Sequence, residues 1–275
     1  MLKDKTVGFV GAGNMGGAIL RGLLQSGRVD KSQIVVSDID AGKLSALQAG
    51  CGIQAAASNA EVVRRADIVI LGVKPYHVDA LLDEVAADSR EGQTFVSIIA
   101  GAPVGKFSAE LHPKAGVVRV MPNTPAAVLA GAAAIYAGGG VSPDALAEVV
   151  EIFEGAGRAV VVQDEALMDA VTGLSGSGPA YVFLAIEALG DAGVQLGIAR
   201  KEAVLLAAQT VYGAAKMMLE TGKSPAELKD MVTTPGGTTA AGLRMLEKGR
   251  FRAVLADAVD AAASRSRELC APRKP

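Results

Sequence analysis

The residues best equipped for chemistry in this 275-residue sequence lie in two glycine-rich stretches, Gly11-Ala12-Gly13-Asn14-Met15-Gly16 and Thr233-Thr234-Pro235-Gly236-Gly237-Thr238-Thr239. The second sits between helical patterns at Pro225–Val232 and Thr238–Lys248. Pro235 stiffens the turn, and the two glycines let backbone approach a ligand closely or take positive φ. Thr238 or Thr239 can cap the helix that follows, whose free N–H groups and positive dipole end suit a carboxylate or phosphate. Taken alone, the segment reads equally well as an ordinary helix-to-helix connection, which also uses Gly and Pro.

The first stretch follows a β-rich run, Thr6–Val10, and opens a helical pattern with Ile19, Leu20, Leu23 and Leu24 on one face. GxGxxG spacing says little in a chain with 33 glycines, but strand before and helix after is the context that dinucleotide binding requires. Gly11 makes the tight turn, Gly13 admits a pyrophosphate, and Gly16 allows close helix–strand packing. A second strand, Gln33–Ser37, ends at Asp38, 22 residues past Gly16. There a carboxylate either bonds the adenosine ribose hydroxyls or caps the helix starting near Asp40. In the first role it would repel a 2′-phosphate and favour NADH, the closest following cation being Lys43.

The elements that must position these residues alternate through the N-terminal half. Helices are predicted at Asp40–Ala49, Asn59–Ala66, Tyr76–Ala86 and Pro143–Phe153. Strands are predicted around Ile53 and at Ile68–Leu71, Thr94–Ile99, Val117–Met121, Ala132–Ala137 and Ala159–Val162. That alternation is α/β with a doubly wound sheet, in which ligands bind off the carboxyl ends of strands. Val73-Lys74-Pro75, Ala100-Gly101 and Asn123 are therefore expected along the cofactor. Lys74 reads as a phosphate or substrate cation, or as a solvated loop lysine.

From Asp164 the period becomes 3.6. Helices are predicted at Glu165–Thr172, Ala180–Leu196, Arg200–Glu220, Thr238–Lys248 and Phe251–Leu269, with Gly173–Pro179 as a connection. Tyr181–Ile186 is apolar all round, which fits burial on every side. A helical unit of roughly 110 residues with such faces is small for a self-contained core, so it is expected to pair with a second copy. The boundary falls between residues 163 and 164.

Composition narrows the function classes. Hydrophobic residues make up 50% and charged residues 20%, with net charge −2 and no cluster of Lys and Arg, so neither disorder nor nucleic-acid binding is indicated. No run has the length to span a bilayer, and the start Met1-Leu2-Lys3-Asp4-Lys5 leaves no room for a signal peptide, so a cytoplasmic location is expected. Cys51 and Cys270 match no metal spacing and read as free thiols, and His77 and His112 are too few for a histidine-based metal site or triad. Gly222-Lys223-Ser224 lacks the first glycine of a phosphate loop, where Met217 stands.

Several segments resemble the Δ1-pyrroline-5-carboxylate reductase family. They are Val10–Gly16, Val73–Pro75, Arg119–Pro125, Gly173–Tyr181 and, most specifically, Pro225–Thr239 continuing through Gly242-Leu243 to Leu246-Glu247. The likeness covers essentially the whole chain in order. It implies a Rossmann domain followed by an all-α dimerisation domain, with five dimers often forming a decamer. The implied reaction is reduction of a cyclic imine by NAD(P)H to L-proline. By position, Val10, Gly11, Ala12, Gly13, Asn14, Met15, Asp38, Asn59, Val73, Lys74, Pro75, Ala100 and Gly101 would line the dinucleotide. Glu165, Gly236, Gly237, Thr238 and Thr239 would touch the substrate, with Thr239 nearest the chemistry. Ser37-Asp38 departs from the serine, or asparagine with arginine, that family members commonly place against a 2′-phosphate. A β-hydroxyacid dehydrogenase, similar in layout, needs a lysine and an asparagine where this chain has Val182 and Ile186, so that reading lacks its proton donor. A non-catalytic dinucleotide-binding regulator would not need the Thr233–Thr239 loop.

Overall fold

The computed structural model describes Leu2 and residues 4–270, except the side chain of Cys270. The chain forms two compact units, one running to Ser177 and resuming at Ala261, the other spanning Gly178–Asp260. The break thus falls later than the change of sequence period at residue 164, and the end of the chain returns to the first unit.

The first unit is built on one sheet of eight strands: β1 Val7–Val10, β2 Ile34–Ser37, β3 Gln54–Ala55, β4 Ile68–Leu71, β5 Thr94–Ser97, β6 Gly116–Met121, β7 Gly131–Ala137 and β8 Gly157–Val161. Their spatial order is β3-β2-β1-β4-β5-β6-β7-β8, and every pairing is parallel except β6 with β7. The chain leaves β1 in one direction for β2 and β3, then returns to its other side for β4. That reversal opens a crevice at the carboxyl ends of β1 and β4, the topological switch point where such sheets bind ligands.

The strands read as continuous apolar runs because helices cover both faces. Phe9, Val36, Ile70, Val96 and Val120 point to the face covered by α1 (Asn14–Gln25), α2 (Ala41–Cys51) and α6 (Pro143–Glu154). Val10, Val35, Val69, Leu71 and Phe95 point to the other, covered by α3 (Asn59–Arg65), α4 (Val78–Val85) and α5 (Val104–Ser108). The long helix predicted from Tyr76 begins instead with a 3-10 turn over Pro75–His77, because proline is well suited to a first turn. Helix α5 had no expectation, being short.

Beyond β8, α7 spans Leu167–Val171 and runs into a wide helical turn over Thr172–Gly176, where a loop was expected. A Cβ on Gly176 would lie 2.6 Å from Met121 Cε, so Gly176 serves close packing rather than a loop.

The second unit consists of α8 (Gly178–Gln195), α9 (Arg200–Thr221), α10 (Pro225–Met231), α11 (Thr238–Lys248) and the first half of α12 (Phe251–Cys270). Helices α8 and α9 pack through Gly190 and Gly193, whose added Cβ atoms would each stand 3.1 Å from Val204 and Ala203. The all-round burial expected for α8 is not met within one chain: Phe183 is 63% and Leu184 67% exposed. Among the described residues no helix is long and apolar enough to cross a membrane.

Helix α10 begins with a reciprocal cap in which Ser224 Oγ accepts the Glu227 N–H and the Glu227 carboxylate accepts the Ser224 N–H. Ser224→Ala is expected to cost about 1 kcal/mol, read as a lower thermal midpoint. The Ser224 hydroxyl and N–H hold the Glu227 carboxyl below its ordinary range. The cap is therefore complete at neutral pH and is lost as pH falls through that lowered value.

Candidate active site

At the switch point, Gly11 takes φ +85°, and a Cβ there would lie 2.9 Å from Gly72 O. Gly16 sits so close beneath the loop that its Cβ would stand 2.5 Å from Gly11 O. Gly13 is different: it faces open space, and it caps α1 with extended backbone and no side-chain hydrogen bond. The first turn of α1 carries no acid. Its leading N–H groups are thus approachable by an anion, and the missing Gly13 side chain leaves the room a pyrophosphate needs. The strand-turn-helix fits a dinucleotide.

Asp38 lies at the end of β2, and its carboxylate spans two backbone donors. Oδ2 accepts the Ala12 N–H at 2.7 Å and Oδ1 accepts the Asp40 N–H at 2.9 Å. Capping α2 falls to Asp40, which accepts from Gly42 and Lys43 N–H. Lys43 Nζ in turn pairs with Asp40 at 3.5 Å. Asn59, the first residue of α3, is engaged through both side-chain polar atoms: Oδ1 accepts the Ser37 hydroxyl at 2.7 Å, and Nδ2 donates to Glu84 at 2.6 Å.

The remaining expected contacts fall where strands end. Val73, Lys74 and Pro75 follow β4, with Lys74 exposed and extended ahead of the 3-10 turn. Ala100 and Gly101 follow β5, and Gly101 takes φ +75°. Asn123 follows β6 but is buried, its Oδ1 accepting the Ala132 N–H at 2.8 Å and its Nδ2 donating to Ser175 O at 3.1 Å. The amide thus braces the connection after β6. Glu165 is likewise engaged, Oε1 accepting the Val104 N–H at 2.8 Å and Arg119 Nη1 at 3.2 Å. Arg119 had no expectation beyond the resemblance. A lone arginine in Val117-Val118-Arg119-Val120 was the available signal, since a charge on a buried strand demands a partner.

In the second unit, the Thr233–Thr239 segment forms a tight turn in which Gly236 takes φ +69° and the Gly237 N–H donates to Thr234 O at 3.0 Å. A Cβ on Gly237 would collide with Thr234 Oγ1. Gly237 itself, rather than Thr238 or Thr239, is the cap residue of α11, with no side-chain hydrogen bond and no acid in the first turn. Thr238 is exposed and Thr239 half-buried.

Known proteins place the chain in a family. Residues 165–269 match the family model described as pyrroline-5-carboxylate reductase dimerisation, and residues 6–101 match one described as NADP oxidoreductase, coenzyme F420-dependent. A pyrroline-5-carboxylate reductase of Methanosarcina acetivorans is 46% identical over 268 residues, covering 98% of this chain and 99% of that one. The Escherichia coli enzyme of the same name is 43% identical over 266 residues, covering 97% and 98%. The chain belongs to the pyrroline-5-carboxylate reductase family. Among solved members, the Coxiella burnetii protein superposes with a TM-score of 0.93 at 36% identity, covering 98% of this chain and 99% of that one. The Plasmodium falciparum protein, solved with NADP bound, gives 0.84 at 31% identity, covering 98% and 99%. The layout is thus the family's: a Rossmann-type sheet domain followed by a helical dimerisation domain.

Proposed function

We propose that this chain reduces the cyclic imine 1-pyrroline-5-carboxylate to L-proline with NADH or NADPH, the last step of proline biosynthesis, in the cytoplasm. The observation that carries this reading is the start of α11. Gly237 caps it without a side chain and no acid stands in its first turn, so the leading N–H groups can receive the substrate carboxylate.

Residues 1–163 hold the dinucleotide and residues 164–275 the substrate and the dimer contact. Val10, Gly11, Ala12, Gly13, Asn14 and Met15 surround the pyrophosphate. Asp38 and Asn59 lie toward the adenosine, and Val73, Lys74, Pro75, Ala100, Gly101 and Asn123 line the rest. When bound, the nicotinamide supplies a hydride. The protein's task is to orient the ring carbon, because an imine that protonates near neutral pH is already a strong acceptor. Gly236 and Gly237 make room for the carboxylate, and the Thr238 and Thr239 N–H groups bind it. The Thr239 hydroxyl bonds the ring nitrogen and orients it; a hydroxyl is too weak an acid to drive protonation. Glu165, held by Arg119 and Val104, offers the substrate its second oxygen. The chain works as a dimer, five dimers forming a decamer, and a monomer at micromolar concentration in sedimentation would overturn that assembly.

Mixing the purified protein with pyrroline-5-carboxylate and either coenzyme should give substrate-dependent loss of nicotinamide absorbance. Its absence would favour a non-catalytic dinucleotide-binding protein. Thr239→Ala is expected to lower kcat/KM by roughly one to two decades, about 1.4 to 2.7 kcal/mol. Unchanged steady-state kinetics would remove the hydroxyl from the mechanism.

A further inference from the structure

The corner of the sheet where β2 ends carries more acid than a dinucleotide site requires. Asp38, anchored by the Ala12 and Asp40 N–H groups, keeps lone pairs on both oxygens for two further donors. Vicinal ribose hydroxyls match that need. A 2′-phosphate does not, being an acceptor and an anion.

The neighbouring donors are also spent inside the protein. Glu84 on α4 accepts both the Asn59 backbone N–H, at 3.2 Å, and its side-chain amide, at 2.6 Å. The Ser37 hydroxyl donates to Asn59 Oδ1. The nearest cation in sequence, Lys43, is paired with Asp40. An incoming phosphate would therefore meet donors that already have acceptors within the protein, Asn59 and Lys43 serving carboxylates, with Glu84 adding a second negative charge beside Asn59.

We propose that Glu84 acts with Asp38 as a determinant of coenzyme choice, turning this site toward a dinucleotide whose ribose carries a free 2′-hydroxyl. Asp38 supplies the attraction, and Glu84 supplies the rejection by occupying Asn59 and repelling phosphate. The inference rests on the proposed reductase reading for its coenzyme, but it concerns a residue outside the glycine fingerprint.

The test is calorimetric binding of NAD⁺ and NADP⁺ to the full chain without imine, so the readout is affinity rather than turnover. The wild type is expected to bind NAD⁺ about tenfold or more tightly than NADP⁺. Glu84→Gln should strengthen NADP⁺ binding about threefold to tenfold while changing NAD⁺ little, because it removes the charge and keeps an acceptor for α3. Glu84→Ala, which frees both Asn59 donors, should narrow the ratio at least as far, and Asp38→Ser should narrow it chiefly by weakening NAD⁺. Equal or tighter wild-type binding of NADP⁺ would overturn the proposal while leaving imine reduction intact. A ratio unmoved in both Glu84 variants would overturn the part assigned to Glu84. Failure of both dinucleotides to bind would overturn this inference and the reductase reading together.

Discussion

Gly11→Ala is expected to weaken dinucleotide binding roughly a hundredfold. Two costs combine at this position. The backbone sits at φ +85°, and the new Cβ would press within 2.9 Å of Gly72 O, a backbone atom with little freedom to move. Strained φ and overpacking each cost about 1 to 3 kcal/mol, and about 3 kcal/mol in total corresponds to some two decades of affinity. The loop can relieve the clash only by shifting away from β4, which moves the Ala12 N–H off Asp38 and the start of α1 off the pyrophosphate. Two companion variants separate the causes. Gly27→Ala has positive φ but open space around it, so it should lower thermal stability modestly and leave binding alone. Gly13→Ala meets nothing in the free protein, so its thermal midpoint should fall only by what a poorer cap of α1 costs, while binding is lost. Equal binding by Gly11→Ala and the wild type would show that the loop tolerates the shift.

Arg119→Met should strongly destabilise the sheet unit. Arg119 is almost fully buried on β6, while the Glu165 side chain is 26% exposed. Removing the guanidinium leaves Glu165 with its hydrogen bond from the Val104 N–H. Breaking a buried pair typically costs about 3 to 5 kcal/mol, and the water that reaches Glu165 lowers the expectation to about 2 to 3 kcal/mol. Urea unfolding of Arg119→Met, Glu165→Gln and the double variant gives the coupling directly. The double variant should recover part of the loss, because no unpaired charge remains. A fully stable Arg119→Met would mean that the pair does not brace α7 and α5 against the sheet.

Much of the fold could be read from local pattern, because both sides of the sheet are covered and each strand is therefore a plain apolar run. Ile34–Ser37, Ile68–Leu71 and Thr94–Ser97 were recognisable for that reason, and so was the crevice at β1. The antiparallel pairing of β6 with β7 was less plain. Its signal is the short connection at residues 122–130, too brief for a parallel crossover. Gly173–Gly176 was misread as a loop because glycine and serine mark turns as readily as they allow close packing, and only Met121, far off in sequence, decides between them. Tyr181–Ile186 shows a different limit: all-round apolarity says that a face is covered, not by which chain. At the site, the fingerprint and Asp38 were legible since their spacing is local. The commitments of Asn59 to Glu84 and of Asn123 to Ser175 join residues separated by 25 and 52 positions, and no local pattern carries them.

The return of the chain end to the first unit has a consequence for biosynthesis. Buried Ser266 donates its hydroxyl to Asp169 Oδ1 at 2.6 Å, across 97 positions of sequence. A ribosome adding about 5 to 20 residues per second delivers that partner roughly 5 to 20 seconds after Asp169 has emerged. During that interval the nascent sheet can close, yet α7 waits for this contact until α12 has left the tunnel. That contact therefore forms only after helices α8 to α11 of the other unit have been made.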